Sequence, residues 1–264
     1  MNIGFIGCGN MGGALALAIS KTPSAKLYLC DTDISKSAPL QLATGGEIAE
    51  IQELPEKCDF IFLGVKPAGI GAVLSTISDA LTKKPDCTVI SMAAGITIEK
   101  LESFLKVRSP IIRILPNTPV AVGCGMTLFS ANALVSKEIK EQFLDFMKES
   151  GKVDEIPEEL IDAACAVAGC GPAFAYMFAE ALANGGMACG LGSEKSITYA
   201  AQMMKGAAEM ILKTDKSPKT LRENVCSPGG STIEGVKVLF EKELPSICKT
   251  AVIASYERTK ELGK

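Results

Sequence analysis

Residues 2–31 constrain this chain more than any other stretch. An apolar run, Ile3 to Ile6, leads into Gly7-Cys8-Gly9-Asn10-Met11-Gly12, then a helical run from Ala14 to Ser20, then a second apolar run, Leu27 to Cys30, that ends on Asp31. Strand, glycine turn, helix and strand in this order form the opening unit of a doubly wound α/β sheet. Gly7, Gly9 and Gly12 have the G-x-G-x-x-G spacing, in which one glycine makes the tight turn, one lets the backbone approach a pyrophosphate, and one lets helix and strand close up. The helix that follows points its free N–H groups and the positive end of its dipole toward phosphate, and Asn10 and Met11 in the glycine turn are candidate cofactor contacts. Asp31 stands nineteen residues after Gly12, where a carboxylate meets a ribose hydroxyl. The ligand implied by this order is a dinucleotide.

The rest of the chain divides in two. Asp59 to Val65, Thr88 to Ser91 and Ile111 to Leu115 read as strands alternating with helices, with a further strand near Met126 to Phe129 and an amphipathic helix from Lys137 to Glu149 leading to Gly151 and Val153. After Pro157 the strand signal stops. Ile161 to Val167, Pro172 to Cys189, Ser193 to Leu212, Pro218 to Val225 and Thr232 to Leu262 all have helical period. The expected architecture is a Rossmann-type doubly wound parallel sheet over residues 1–155 and an all-α domain over residues 156–264. Pro172 and Pro218 suit first helical positions, and Ser231 with Glu234 has the spacing of a capping box. The apolar run Pro172 to Leu191 is interrupted by Glu180, Asn184 and Gly185-Gly186, which argues against a membrane span. Its Ala and Gly content suits close helix packing between two subunits, so a dimer through the second domain is expected.

Composition excludes several classes. At 264 residues, 47% hydrophobic, the chain can bury a sizeable core, and a net charge of −3 without a long basic run gives no footprint for nucleic acid. Ten cysteines lie scattered in apolar stretches such as those around Cys30, Cys58, Cys87, Cys165, Cys189 and Cys248, which reads as small buried hydrophobes in a reducing compartment. With no histidine and no C-x-x-C, no metal site is expected. The start lacks the basic n-region and cleavage signal of a secreted chain, so the expected location is cytoplasmic.

Three segments end strands on the edge where ligands of this architecture bind: Val65-Lys66-Pro67, Met92-Ala93-Ala94-Gly95 and Leu115-Pro116-Asn117. Lys66 has the reach for a ribose or phosphate. Ala93, Ala94 and Gly95 leave room for a nicotinamide ring, and Asn117 offers a donor and an acceptor. Later, Ser227-Pro228-Gly229-Gly230-Ser231-Thr232 forms a glycine turn running into a helix, a place for a small carboxylate.

In series, Gly7 to Met11, Val65 to Pro67, Ala93 to Gly95, Pro116 to Pro119, Gly169-Cys-Gly-Pro-Ala173 and Ser227 to Thr232 resemble the pyrroline-5-carboxylate reductase family over nearly the whole chain. The resemblance implies hydride transfer from NADH or NADPH to the C=N carbon of 1-pyrroline-5-carboxylate, giving L-proline, the last step of proline biosynthesis. It implies Thr232 near the substrate nitrogen, and Ser227 with the N–H groups of Gly230, Ser231 and Thr232 on the carboxylate. Such enzymes form dimers with interlocking C-terminal helices, often assembled into decamers. Cys170, Phe174, Asn184, Ala68 and Glu223 depart from the family's usual residues, and Cys170 bears on substrate affinity and oxidation. Asp31, with Asp33 beside it and Lys36 the one nearby cation, replaces small hydroxyl residues common at that place, which predicts NADH preference. The opening motif also resembles the β-hydroxyacid dehydrogenases, but the helix after Gly171 carries no lysine until Lys195. A non-catalytic nicotinamide-binding regulator is the other alternative, with no evident need for the Ser227 to Thr232 turn.

Overall fold

Strands form where apolar runs are wholly apolar, as strands buried on both faces require. In the computed structural model, which describes residues 1–262, β1 (Asn2–Ile6), β2 (Lys26–Cys30), β3 (Glu47–Ile48), β4 (Phe60–Leu63), β5 (Thr88–Ser91), β6 (Ile111–Leu115), β7 (Gly125–Ala131) and β8 (Gly151–Glu155) make one sheet in the order β3-β2-β1-β4-β5-β6-β7-β8. The connecting helices are α1 (Asn10–Ile19), α2 (Ile34–Thr44), α3 (Leu54–Lys57), α4 (Ile70–Leu81), α5 (Ile98–Ser103) and α6 (Lys137–Met147). β3 through β6 in that order are parallel, the doubly wound pattern expected. The sheet is not parallel throughout, however. β7 runs antiparallel to β6 and β8 parallel to β7, because residues 116–124 return the chain directly with a short 3₁₀ turn and no crossover helix.

Successive strand residues point to opposite faces, so one run feeds two cores. Ile3, Phe5, Phe60 and Phe62 join Phe129, Phe143 and Phe146 on one face, with Phe5 and Phe62 stacked 4.7 Å apart. Ile61, Leu63, Ile70, Leu74, Ile77 and Val89 fill the other.

The helices after Pro157 are α7 (Glu158–Ala168), α8 (Gly171–Ala188), α9 (Ser193–Lys213), α10 (Pro218–Val225), α11 (Ser231–Glu241) and α12 (Leu244–Leu262). The chain separates into two compact units, Met1–Cys170 with the described residues from Ser255 onward, and Gly171–Ala254. α7 thus belongs with the sheet: Ile161 packs on Leu115 and Leu128. The apolar stretch 158–188 is long enough by composition to cross a membrane, but residues 169–170 form a turn that splits it into α7 and α8.

Two helical expectations are corrected. Thr232 to Leu262 is not one helix: Glu243 adopts φ +57° and Pro245 follows, so α11 ends and α12 starts afresh. Ser231 does not cap α11 either. Gly230 holds the N-cap position, Ser231 is the first helical residue, and Glu234 pairs with Lys237 at 2.7 Å. Pro218 does open α10, with Ser217 accepting from the Thr220 N–H at 3.1 Å. Cysteines are less uniformly buried than expected: Cys8, Cys58 and Cys87 are buried, whereas Cys124, Cys189 and Cys248 are exposed, and all ten are free thiols.

Candidate active site

In the sheet unit the glycine turn has a shape that side chains would destroy. Gly7 adopts φ +99°, and a Cβ there would lie 2.6 Å from the Gly64 carbonyl carbon and oxygen. A Cβ on Gly12 would meet the Gly7 carbonyl oxygen, so β1, α1 and the end of β4 meet backbone to backbone. Gly9 differs. No protein atom lies within 4 Å of a Cβ built on it, so its lack of a side chain leaves open space at the N-cap of α1. Gly9 caps the helix without a side-chain bond, and no backbone acceptor outside the helix takes the N–H groups of Asn10 or Met11. An uncapped helix start facing open space is the arrangement that receives a pyrophosphate.

Beside it lies a cavity of about 240 Å³ lined by Ile6, Gly7, Cys30, Asp31, Thr32, Glu50, Ile51, Val65 and Val73. Ile51, Val65 and Val73 offer apolar walls for a flat ring, and Asp31 brings a carboxylate. One Asp31 oxygen accepts the Cys8 N–H at 2.7 Å and the other the Asp33 N–H at 2.9 Å. The carboxylate therefore fixes both the glycine turn and the exit of β2, while each oxygen keeps a second lone pair. Burial, then the charge of Asp31 and the presence of Cys30, push the Cys8 thiol up to about 12. The thiol stays protonated and hydrophobic in character.

Val65 lines this cavity, Lys66 is exposed, and Pro67 begins a 3₁₀ turn that leads into α4. Ala93 is buried, and Gly95 takes φ +77° to turn the loop after β5. Asn117 is buried, and its side chain is committed within the fold: its Nδ2 donates to the Ala168 carbonyl at 3.0 Å, and its Oδ1 accepts the Met126 N–H at 2.8 Å. It ties the end of β6 to the last turn of α7.

Arg113 had no part in the sequence reading, and its strand looked uniformly apolar around it. It is 1% exposed in mid-β6 and donates to Glu158 at 3.2 Å and Asp162 at 2.5 Å, residues one helical turn apart on α7. Glu158 also accepts the Ile98 N–H at 2.7 Å, at the exit of the loop that carries Ala93 to Gly95. A charged residue inside an apolar strand was the available signal, but its partners lie 45 and 49 residues onward.

In the helical unit the turn from Ser227 to Thr232 is open. Gly229 takes φ +74°, and the Gly230 N–H donates to the Ser227 carbonyl at 3.0 Å, so that N–H closes the turn and is not free for a ligand as the resemblance implied. The Ser231 and Thr232 N–H groups start α11 without a side-chain cap, beside the exposed Ser227 and Thr232 hydroxyls. These are neutral donors of the kind that hold a carboxylate.

Comparison with known proteins supports both halves of this reading. Residues 158–262 match a family model described as pyrroline-5-carboxylate reductase dimerisation, and residues 2–95 one described as NADP oxidoreductase coenzyme F420-dependent. The chain is 38% identical to the pyrroline-5-carboxylate reductase of Escherichia coli (strain K12), over 99% of this chain and 98% of that one. It is 34% identical to pyrroline-5-carboxylate reductase 2 of Homo sapiens over 99% of this chain and 84% of that one. A solved structure of the Plasmodium falciparum pyrroline carboxylate reductase with NADP bound superimposes with a TM-score of 0.88 at 32% identity, covering 100% of this chain and 98% of that one. With relatives this similar over most of their length, the chain belongs to the pyrroline-5-carboxylate reductase family.

Proposed function

We propose that the protein reduces 1-pyrroline-5-carboxylate to L-proline with a reduced nicotinamide cofactor. The observation that carries this is the open turn of Ser227 to Thr232, a neutral carboxylate cradle on a chain whose sheet edge is shaped for a dinucleotide. Gly7, Gly9, Asn10, Met11 and Gly12 would hold the pyrophosphate, and Val65, Lys66, Pro67, Ala93, Ala94 and Gly95 would frame the rest of the cofactor, with Asn117 holding the end of β6 in place behind them. The bound cofactor supplies a hydride. The chain's task is placement: Ser227, Gly229 and the Ser231 and Thr232 N–H groups orient the substrate carboxylate, and the Thr232 hydroxyl bonds near the ring nitrogen. That nitrogen is already protonated in the iminium form, so no strong acid is required, in keeping with a chain that has no histidine. The test is loss of reduced-nicotinamide absorbance in the presence of 1-pyrroline-5-carboxylate, with proline identified as product. Absence of turnover with either NADH or NADPH would sink the assignment.

NADH is the preferred cofactor in this reading. Asp31 lines the cavity with both oxygens anchored by backbone N–H groups, positioned to accept a ribose hydroxyl and to repel a 2′-phosphate. Asp31→Asn keeps an oxygen for the Cys8 N–H and removes the charge. A ratio of NADH to NADPH efficiency unchanged in that variant would remove the argument. The match to a dimerisation region supports a homodimer through the helical unit, and ten free thiols fit the reducing cytoplasm.

A further inference from the structure

We propose that Glu50 is a second cofactor-specificity residue, acting with Asp31 to exclude a 2′-phosphate from the adenosine cavity. The inference rests on the reading that this cavity receives the adenosine half of a nicotinamide cofactor. It adds a residue from a different strand, one that no motif in the chain marks.

The placement comes from β3. That strand is only two residues long, yet Tyr28 pairs with Glu47 and Leu29 with Ile48, and the Ala49 N–H then donates to the Leu29 carbonyl at 3.0 Å. The chain follows β2 one residue beyond the strand and delivers Glu50 alongside the Cys30-Asp31 end. There its backbone turns away, the Glu50 carbonyl accepting the Glu53 N–H at 3.1 Å as the 3₁₀ turn of Ile51–Glu53 begins. Glu50 consequently lines the same cavity as Asp31, Thr32, Val65 and Val73. Burial raises the pKa of the Cys30 thiol in this lining, and the Glu50 and Asp31 carboxylates raise it further.

The charges within the cavity lining have the same sense. Among its lining residues the two charged side chains are both carboxylates. Lys36 lies 3.6 Å from Asp33 and Lys57 lies 2.8 Å from Glu53, whereas Lys66, next to the lining Val65, has no ion pair among the described residues and is left for the cofactor. Glu50 itself forms no ion pair among the described residues, and its side chain is exposed, so no role in holding the fold accounts for it. A 2′-phosphate carries nearly two negative charges at neutral pH, whereas a 2′-hydroxyl carries none. Repulsion from each carboxylate across a partly solvated cavity is worth about threefold to tenfold in affinity, and it falls as salt screens it.

The experiment is titration of the wild type, Glu50→Gln and Glu50→Lys with NADH and with NADPH, reading nicotinamide fluorescence for dissociation constants alongside steady-state kinetics. The expected result is a fall in the ratio of NADPH to NADH dissociation constants of about threefold to tenfold in Glu50→Gln and further in Glu50→Lys, with the Gln effect shrinking in high salt. A ratio unchanged in both variants, or weakened binding of both nucleotides in equal measure, overturns the proposal. A wild type that favours NADPH while both Glu50 variants still shift the ratio would refute the NADH preference and uphold Glu50.

Discussion

The sheet unit and the helical unit are built on opposite terms. In the sheet unit every large apolar residue of β1, β4, β5 and β6 is buried, and phenylalanines from strands and α6 interlock within one face. In the helical unit Tyr176, Met177, Tyr199, Met203, Met210, Ile211 and Leu212 are all exposed in the single chain, and α9, α10 and α11 bury few or no residues. A sheet covered by helices completes its own core, whereas a few helices leave apolar faces that only a further surface can cover. Stability of the first unit is therefore expected to be a property of one chain, and that of the second to rise with chain concentration.

That contrast can be broken at either end. Phe62→Ala removes a ring stacked on Phe5 and edge-on to Phe146, and is expected to cost about 3–5 kcal/mol. Denaturant unfolding should show the loss equally at low and high protein concentration. The double variant Met203→Asp with Met210→Asp should instead weaken self-association by about 2–4 kcal/mol, the range for a charge placed in a buried apolar contact. Sedimentation would reveal it as a shift toward monomer, and a variant that still associates as tightly as the wild type would show that this face of α9 is not the one covered.

Within the sheet unit, Asn117→Ala orphans the Met126 N–H and the Ala168 carbonyl, a loss of about 1–3 kcal/mol measurable as a lower melting temperature. Gly9→Ala fills space that no protein atom occupies, so melting should be almost unaffected in the absence of cofactor while cofactor affinity falls on the order of tenfold, the equivalent of one lost phosphate hydrogen bond. Equal losses of both would mean that the space is not where the pyrophosphate lies. Smallest of all, Lys106→Ala breaks an exposed pair with Asp79 and should change stability by less than about 1 kcal/mol.

Local signals made the frame of the fold legible. β5 and β6 have the bounds their apolar runs predict, and α10 runs from Pro218 to Val225 as its period predicts. What could not be read depends on distant residues. The direction of β7 follows from where residues 116–124 return, the break at Glu243 from a backbone turn without a glycine, and β3 from pairing to β2 of two exposed residues. The candidate site shows the same division. The glycine turn and Asp31 were visible as a motif, because their spacing is local. Arg113 and the clamp made by Asn117 were not, because a side chain's partner across the fold leaves no mark on its neighbours in sequence.

One carboxylate has a consequence for how cofactor choice could drift. Asp31 supports the Cys8 N–H of the glycine turn while it lines the cavity, so a substitution that removes its charge also bears on the turn. Alanine there would leave the Cys8 N–H without its acceptor as well as removing the charge. Cavity-wall positions that support no backbone, such as Glu50, are therefore where charge can be altered without touching the glycine turn.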